Sequence, residues 1–273
     1  MSPRWFTLGA WLLLSACAFS PSETLSTADP LDRLLPADVL LLGEQHDASD
    51  HQRVQLEVVR TLASRKLLAG LLIEMAEQGK STQGLSPQAS EEQVQSALGW
   101  SSSGWPWAAY GPTLMAAVRA GVTVQGANLP RAAMRASMAQ STLDGLLSGP
   151  ALKAQQQLIR IGHCEMLPES QIAPMTRVQI ARDVAMAQSL TRAVQKDKVL
   201  VLLAGFGHVD KLLGIPQHLP SNLVVKSVRL GFESDTKDPK ESAGASFDYA
   251  WPALPAPEKD YCEAFRKQLK PAS

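Results

Sequence analysis

Val199-Leu200-Val201-Leu202-Leu203-Ala204-Gly205-Phe206-Gly207-His208 is the stretch that decides the architecture. An apolar run of this length with no polar alternation describes a strand buried on both faces, and such strands belong to parallel sheets covered by helices on either side. Val39-Leu40-Leu41-Leu42-Gly43-Glu44-Gln45-His46 repeats the pattern near the other end of the chain. Leu67 to Ile73, closed by Glu74, and Val122-Thr123-Val124-Gln125-Gly126-Ala127-Asn128 add two strands. Leu223 to Leu230 reads as a fifth, and 245 to 254 as an edge.

Helical periodicity fills the intervals. Val54, Val58 and Leu62 recur at four-residue spacing in a helix over 51 to 65, Tyr110 to Ala120 makes another, two or three occupy 131 to 160, and a long one covers 172 to 195. Residues 78 to 104, rich in Gly, Ser and Gln, read as an insertion or lid with one short helix at 91 to 98, announced by the capping box Ser90 to Gln93. The expectation is an α/β fold: a single domain over 31 to 273, with a largely parallel open sheet flanked by helices on both faces, plus a helical and loop insertion.

The 273 residues carry 26 basic and 26 acidic side chains, so the basic excess that marks nucleic-acid binders is missing and no nucleic-acid partner is expected. Residues 1 to 16 do not belong to the fold. Arg4, an apolar run from Trp5 to Leu14 and Leu14-Ser15-Ala16-Cys17 form an export signal, too short for the roughly 20 residues of a spanning helix. The small residues before Cys17 resemble the lipobox of bacterial lipoproteins, which implies cleavage before Cys17, its acylation with palmitate-type chains, and attachment to a membrane. Cleavage as an ordinary signal near Ala16 or Ala18 is the alternative. By the same resemblance Ala18, rather than Asp, points to the outer membrane. Residues 17 to 30 read as a tether. Cys164 and Cys262 are left for the body, and in an exported protein the pair suggests one disulfide, with two free thiols as the alternative.

In a parallel sheet all strand C-termini lie along one edge, outside which ligands bind. The residues following the four best strands are Gly43-Glu44-Gln45-His46, Glu74, Asn128 with Arg131, and Gly205-Phe206-Gly207-His208. Two of them share Gly-x-x-His, in which glycine permits a tight turn and places an imidazole at the crevice. His46, His208, Glu44 and Glu74 are the right types for a two-His-plus-carboxylate site holding a divalent metal, or for acid/base catalysis. A polar cluster that merely satisfies turns is the structural alternative. Arg131, near a helix start, suits a carboxylate or phosphate. His163 sits beside Cys164 in a loop that could overhang the crevice; His51 and His218 read as surface residues.

These residues carry a family resemblance. Leu42 to Asp47, Glu74-Met75, Trp105-Pro106-Trp107 with Tyr110, Ala127 to Arg131, His163-Cys164 with Leu167-Pro168-Glu169, Arg182-Asp183 with Met186-Ala187, and Gly205 to His208 together resemble the ChaN-like haem-binding lipoproteins, grouped with erythromycin esterases and Tiki/TraB-type proteins. The family's more usual Asn-Pro after Gly-Glu-x-His-Asp is replaced by Ala48-Ser49. The resemblance implies a periplasm-facing outer-membrane lipoprotein that binds haem in iron uptake.

Haem needs an apolar slot, an axial donor and cationic anchors for its propionates. Trp100, Trp105 and Trp107 could wall the slot. A phenolate suits ferric iron. Tyr110 follows the tryptophans directly and is the first candidate donor, with a core role as its alternative, whereas Tyr249 and Tyr261 lie beyond the recognised motifs. His163, His46 and His208 are further ligands or anchors, with Arg131. A flat ligand shared between two copies would suit a homodimer. The rival function is a hydrolase of esterase or peptidase kind, metal-dependent or using His46 as general base with Glu44, Glu74 and His208.

Overall fold

The computed structural model describes residues 28–231 and 246–269. The signal over 1 to 16, the lipidation site Cys17 and most of the tether lie outside the described residues. The elements run α1 (Ala28–Leu34), β1 (Val39–Glu44), α2 (Ser49–Ser64), β2 (Leu68–Glu77), α3 (Glu91–Leu98), α4 (Trp107–Arg119), β3 (Val124–Asn128), α5 (Arg131–Ala139), a 3-10 turn at Ser141–Leu146, α6 (Gly149–Gly162), α7 (Glu169–Ala193), β4 (Val199–Gly205), a 3-10 turn at Ile215–His218, β5 (Val225–Leu230), β6 (Tyr249–Trp251) and α8 (Tyr261–Leu269). α1 begins within the last residues read as tether.

The sheet has six strands in the order β3-β2-β4-β1-β5-β6, and every pairing is parallel. The apolar runs end up in the middle for a simple reason: a strand there must shed water from both faces. Alternate residues divide between two cores. Leu40, Leu42, Ile73, Val201 and Leu203 pack on one face against α2, α3 and α4, while Val39, Leu41, Leu200 and Leu202 meet Met186 and Leu190 of α7 on the other.

The 78–104 segment is more than a lid. Ser90 caps α3 through the Gln93 amide, with Gln93 returning a bond to the Ser90 backbone, and Val94 and Leu98 are fully buried in the first core. Ser81 also bridges to Gln125 beside β3. A periodicity of two apolar residues is too short to announce such docking.

β2 runs three residues past Glu74. Its register with β3 shifts between Ile73 and Glu77, so the strand bulges where Glu74 leaves the ladder. β1 and β4 are neighbours, with Glu44 opposite Gly205. Their Gly-x-x-His segments therefore emerge side by side at the crevice.

Glycine at 43 answers a demand different from the turn expected from sequence, since its φ is not positive. A Cβ there would stand 2.3 Å from Val209 Cγ2 and 2.9 Å from the Phe206 Cα. Gly43→Ala should thus overpack the β1–β4 exit and destabilise by about 1–3 kcal/mol. Chemical denaturation checks this: the midpoint should fall while the slope with denaturant stays unchanged.

Candidate functional site

Glu74 occupies the centre of the crevice floor and is 2% exposed. Its Oε2 accepts the Gly205 backbone N–H at 2.7 Å, and its Oε1 accepts from Arg182 of α7. Arg182 is held in turn by Asn128 Oδ1 at 3.0 Å, and Asn128 donates to the Glu74 backbone carbonyl at 2.9 Å. His208 Nε2 lies 3.5 Å from Glu74 Oε1, and His46 Nε2 lies 3.8 Å from Oε2. The two histidines and Glu74 picked from sequence are thus brought together on three adjacent strands.

His46 is oriented by Glu44. A carboxylate only accepts, so the 2.7 Å contact between Glu44 Oε1 and His46 Nδ1 places a proton on Nδ1. Glu44 also accepts from Gln55 Nε2 at 2.7 Å and from the Tyr110 hydroxyl at 2.7 Å. Gln52 holds the His46 carbonyl at 2.8 Å. The edge-on Trp105 ring, 4.7 Å between centroids, walls the His46 imidazole. Burial alone would lower the His46 pKa, but the Glu44 hydrogen bond and the charges of Glu74 and Glu44 outweigh it and raise it. Gly205 leaves room for this: a Cβ there would lie 3.0 Å from His46 Nε2.

His208 is 5% exposed and bonds Asp183 Oδ1 through Nδ1 at 2.5 Å, with the Gln179 amide against its ring. Desolvation opposes its charge, yet Glu74 and Asp183 push its pKa up to about 9. Glu74 itself is held well below the carboxylate range: burial opposes this, and the charges of His208, Arg182 and His46 overcome it. Burial moves Asp183 upward, with His208 and Arg182 pulling against it. The floor is therefore a set of ion pairs formed by Glu74 and Asp183 with His208 and Arg182.

Several sequence expectations change here. Tyr110 does not face the crevice: it is 1% exposed and tied to Glu44, and burial and Glu44 raise its pKa above that of an ordinary phenol. It buttresses Glu44 instead of offering iron a donor. His51 is buried, not on the surface, and accepts the Gln45 N–H through Nδ1 at 3.0 Å. His218 is half-buried. The two-His-plus-carboxylate metal reading is not supported: the Glu74 oxygens accept from Arg182 and Gly205, His208 gives its Nδ1 proton to Asp183, and among the described residues no group of three or more His, Cys, Asp or Glu could hold an ion. Arg131 opens α5 as expected, its backbone N–H capped by Glu77. Arg182 and Asp183, quoted only as part of a motif, prove central, and Gln55 and Gln179 carried no sequence signal.

His163 lies apart from the floor, at the end of α6, where Nδ1 contacts the Ile159 carbonyl at 2.8 Å. Cys164 is joined to Cys262 by a disulfide with a Cα–Cα distance of 5.5 Å, which brings α8 to the α6–α7 turn.

Residues 31–219 match the family described as "Haem-binding uptake, Tiki superfamily, ChaN". The chain belongs to that haem-binding family. Among solved structures, ChaN of Campylobacter jejuni, described with cofacial heme binding, is similar over 84% of this chain and 92% of that one, at 24% identity and a TM-score of 0.67. The type III effector HopBA1 aligns over 85% and 95%, at 15% identity and a TM-score of 0.52. These likenesses show a shared fold. No curated protein matches the chain in sequence.

Linkage gives the ion-pair floor a pH signature. A folded-state pKa of about 9 for His208, against an ordinary 6.5, stabilises the fold fully below 6.5, and that stabilisation is lost as pH rises through about 9. The loss should amount to about 3 kcal/mol at most. Denaturation curves between pH 6.5 and 9 should show it in the native protein, and His208→Gln should flatten that part of the profile.

Proposed function

We propose that the protein is a haem-binding lipoprotein of the outer membrane, anchored through an acylated Cys17 with its body facing the periplasm, and that it serves haem or iron acquisition. Membership of the haem-binding family supports the ligand. The observation that carries the reading is a cleft of about 520 Å³ beside the crevice floor, between the loop ahead of α4 and α5. Trp105, Leu129 and Met134 give it apolar surface, the carboxylates Glu74 and Glu77 line it as well, and Lys80 and Arg131 line it without an ion pair among the described residues. The Trp105 ring with the Lys80 and Arg131 cations beside it suits a flat macrocycle bearing two carboxylates.

When bound, haem would supply a ferric iron able to accept a donor atom. The chain's own contribution is to hold the macrocycle against Trp105, pair its carboxylates with Lys80 and Arg131, and keep His46 oriented through Glu44. The likeness to a protein described with cofacial heme binding favours two copies sharing the ligand across this face. The lipobox ending at Cys17 favours the anchor.

Titration of the purified protein with ferric haem should give a saturable, shifted Soret band. Lys80→Ala and Arg131→Ala should each weaken binding several-fold, and Trp105→Ala more than either. Absence of saturable binding would overturn the reading. Cys17→Ala should move the protein out of the outer-membrane fraction into the soluble periplasmic one, and sedimentation with and without haem tests the dimer.

One observation favours a second reading, a His-based hydrolase. The Glu44–His46 pair leaves the partly exposed imidazole a second nitrogen, Nε2, beside the crevice. Hydrolysis of an activated ester that disappears in His46→Ala, without any haem-dependent spectrum, would favour it.

A further inference from the structure

Because every strand pairing is parallel, all the strand starts lie at the end of the sheet opposite the crevice. The segments entering the strands are neighbours there. Asp38 N donates to the Val224 carbonyl at 2.8 Å, Leu200 N to the Asp38 carbonyl at 2.9 Å, and Val199 N to the Leu67 carbonyl at 2.8 Å. Between them runs an open groove of about 530 Å³. Leu35, Pro36, Leu67 and Val224 give it apolar surface, and Val224 is 49% exposed.

The charge at this end is lopsided, although the whole chain carries equal numbers of basic and acidic residues. Arg33, Arg65, Lys66, Arg119, Lys196 and Lys198 stand on the segments entering the strands, against the carboxylates Asp32, Asp38 and Asp197. Asp32 is paired with Arg65, and Asp38 accepts the Val224 N–H at 2.8 Å. Arg33, Lys66, Lys196 and Lys198 are exposed and form no ion pair among the described residues. Lys66, just past α2, has a φ of 59°, a conformation that favours glycine, yet the residue there is a cation.

The chain reaches its N-terminal segment from this same end. Asp32 of α1 meets Arg65 where α2 finishes, and Leu34 leads directly into Leu35 of the groove. Cys17 lies eleven residues before Ala28, a span of at most about 40 Å when fully extended. A body tied so closely by its strand starts presents the groove to the bilayer, and the crevice lies about 20 Å further out along the strands. Apolar side chains ringed by cations suit such a surface: the apolar groups reach the acyl boundary, and the cations meet phosphate oxygens.

Resting on the acyl-anchor reading above, we propose that the strand-start end of the sheet docks on the membrane that holds Cys17. Leu35, Pro36 and Val224 enter the interface, and Lys66, Lys196 and Lys198 bind anionic phospholipid headgroups. The anchor alone leaves the body free to turn on its tether; the docked face holds the crevice outward, where a ligand arriving through water meets it.

The test uses the mature chain with vesicles of phosphatidylethanolamine and phosphatidylglycerol. In the acylated protein, hydrogen exchange should slow in segments 33–38, 64–68 and 220–224 relative to Cys17→Ser free in solution, and stay unchanged in 44–47 and 205–208. Protection at the crevice end, or at neither end, overturns the docking while the anchor stands. Cys17→Ser, which has no acyl chain, should still sediment with these vesicles, and at least tenfold more weakly with phosphatidylcholine vesicles or in high salt. In that background Lys66→Glu/Lys196→Glu/Lys198→Glu should lose at least tenfold in vesicle affinity, with the circular dichroism spectrum and the response to ferric haem unchanged. The same charge change placed elsewhere, Arg135→Glu/Lys153→Glu/Lys259→Glu, should keep the binding; equal loss in both sets overturns the docking face. A lipid-free dimer that Val224→Glu dissociates assigns the groove to a second copy and overturns it too. A native chain that mass spectrometry finds unacylated overturns the anchor and the docking together.

Discussion

A carboxylate buried at the end of a central strand is the constraint on which this structure depends. Glu74 cannot be left uncompensated in an apolar sheet, where an unpaired charge costs several kcal/mol. Its partners come from three separate elements: the Gly205 N–H from β4, the Arg182 guanidinium from α7 and the His208 imidazole beyond β4. Satisfying one group therefore fixes the height of α7 against the sheet, the path of the β4 exit and the position of Asn128 at the end of β3. Asp183, buried on the same helix, extends the arrangement through His208.

A second buried carboxylate, Glu44, organises the opposite side of the floor. Gln55 from α2, Tyr110 from α4 and the His46 ring all bind it. Two of the helices that cover the first core thus also orient the crevice imidazole. Packing and site share residues here, since Tyr110 contributes its ring to the core and its hydroxyl to Glu44. The result is a rigid floor beneath a rim of cations and tryptophan, a division suited to a ligand held at the surface.

Much of the fold was legible. Runs such as Val39 to Leu42 and Val199 to Ala204 can only be interior strands of a parallel sheet, and the edge where their C-termini meet could be named in advance. Glu44, His46, Glu74 and His208 were legible for the same reason, because strand ends are local features. The bulge that carries Glu74 off the ladder was not legible, since register depends on the neighbouring strand. Gln55, Gln179 and the docking of Val94 and Leu98 were hidden too, because a helix of ordinary composition does not state which of its side chains meets a distant carboxylate. The roles given to the glycines also changed: close approach, which is a property of the partner's atoms, excludes a side chain at Gly43, whereas sequence suggested only a turn.

Tyr110 and Tyr261 show where the boundary falls. By itself the sequence determined the alternation of strand and helix, the sheet edge carrying the polar residues, and the supply of donors and cations available there, because each follows from periodicity or composition over a few residues. Which tyrosine is sealed in the core and which stands at the rim was decided only by tertiary structure. Burial depends on what the rest of the chain lays over a residue: α4 folds Tyr110 onto Glu44, and a disulfide between residues 98 positions apart carries Tyr261 to the turn that holds His46.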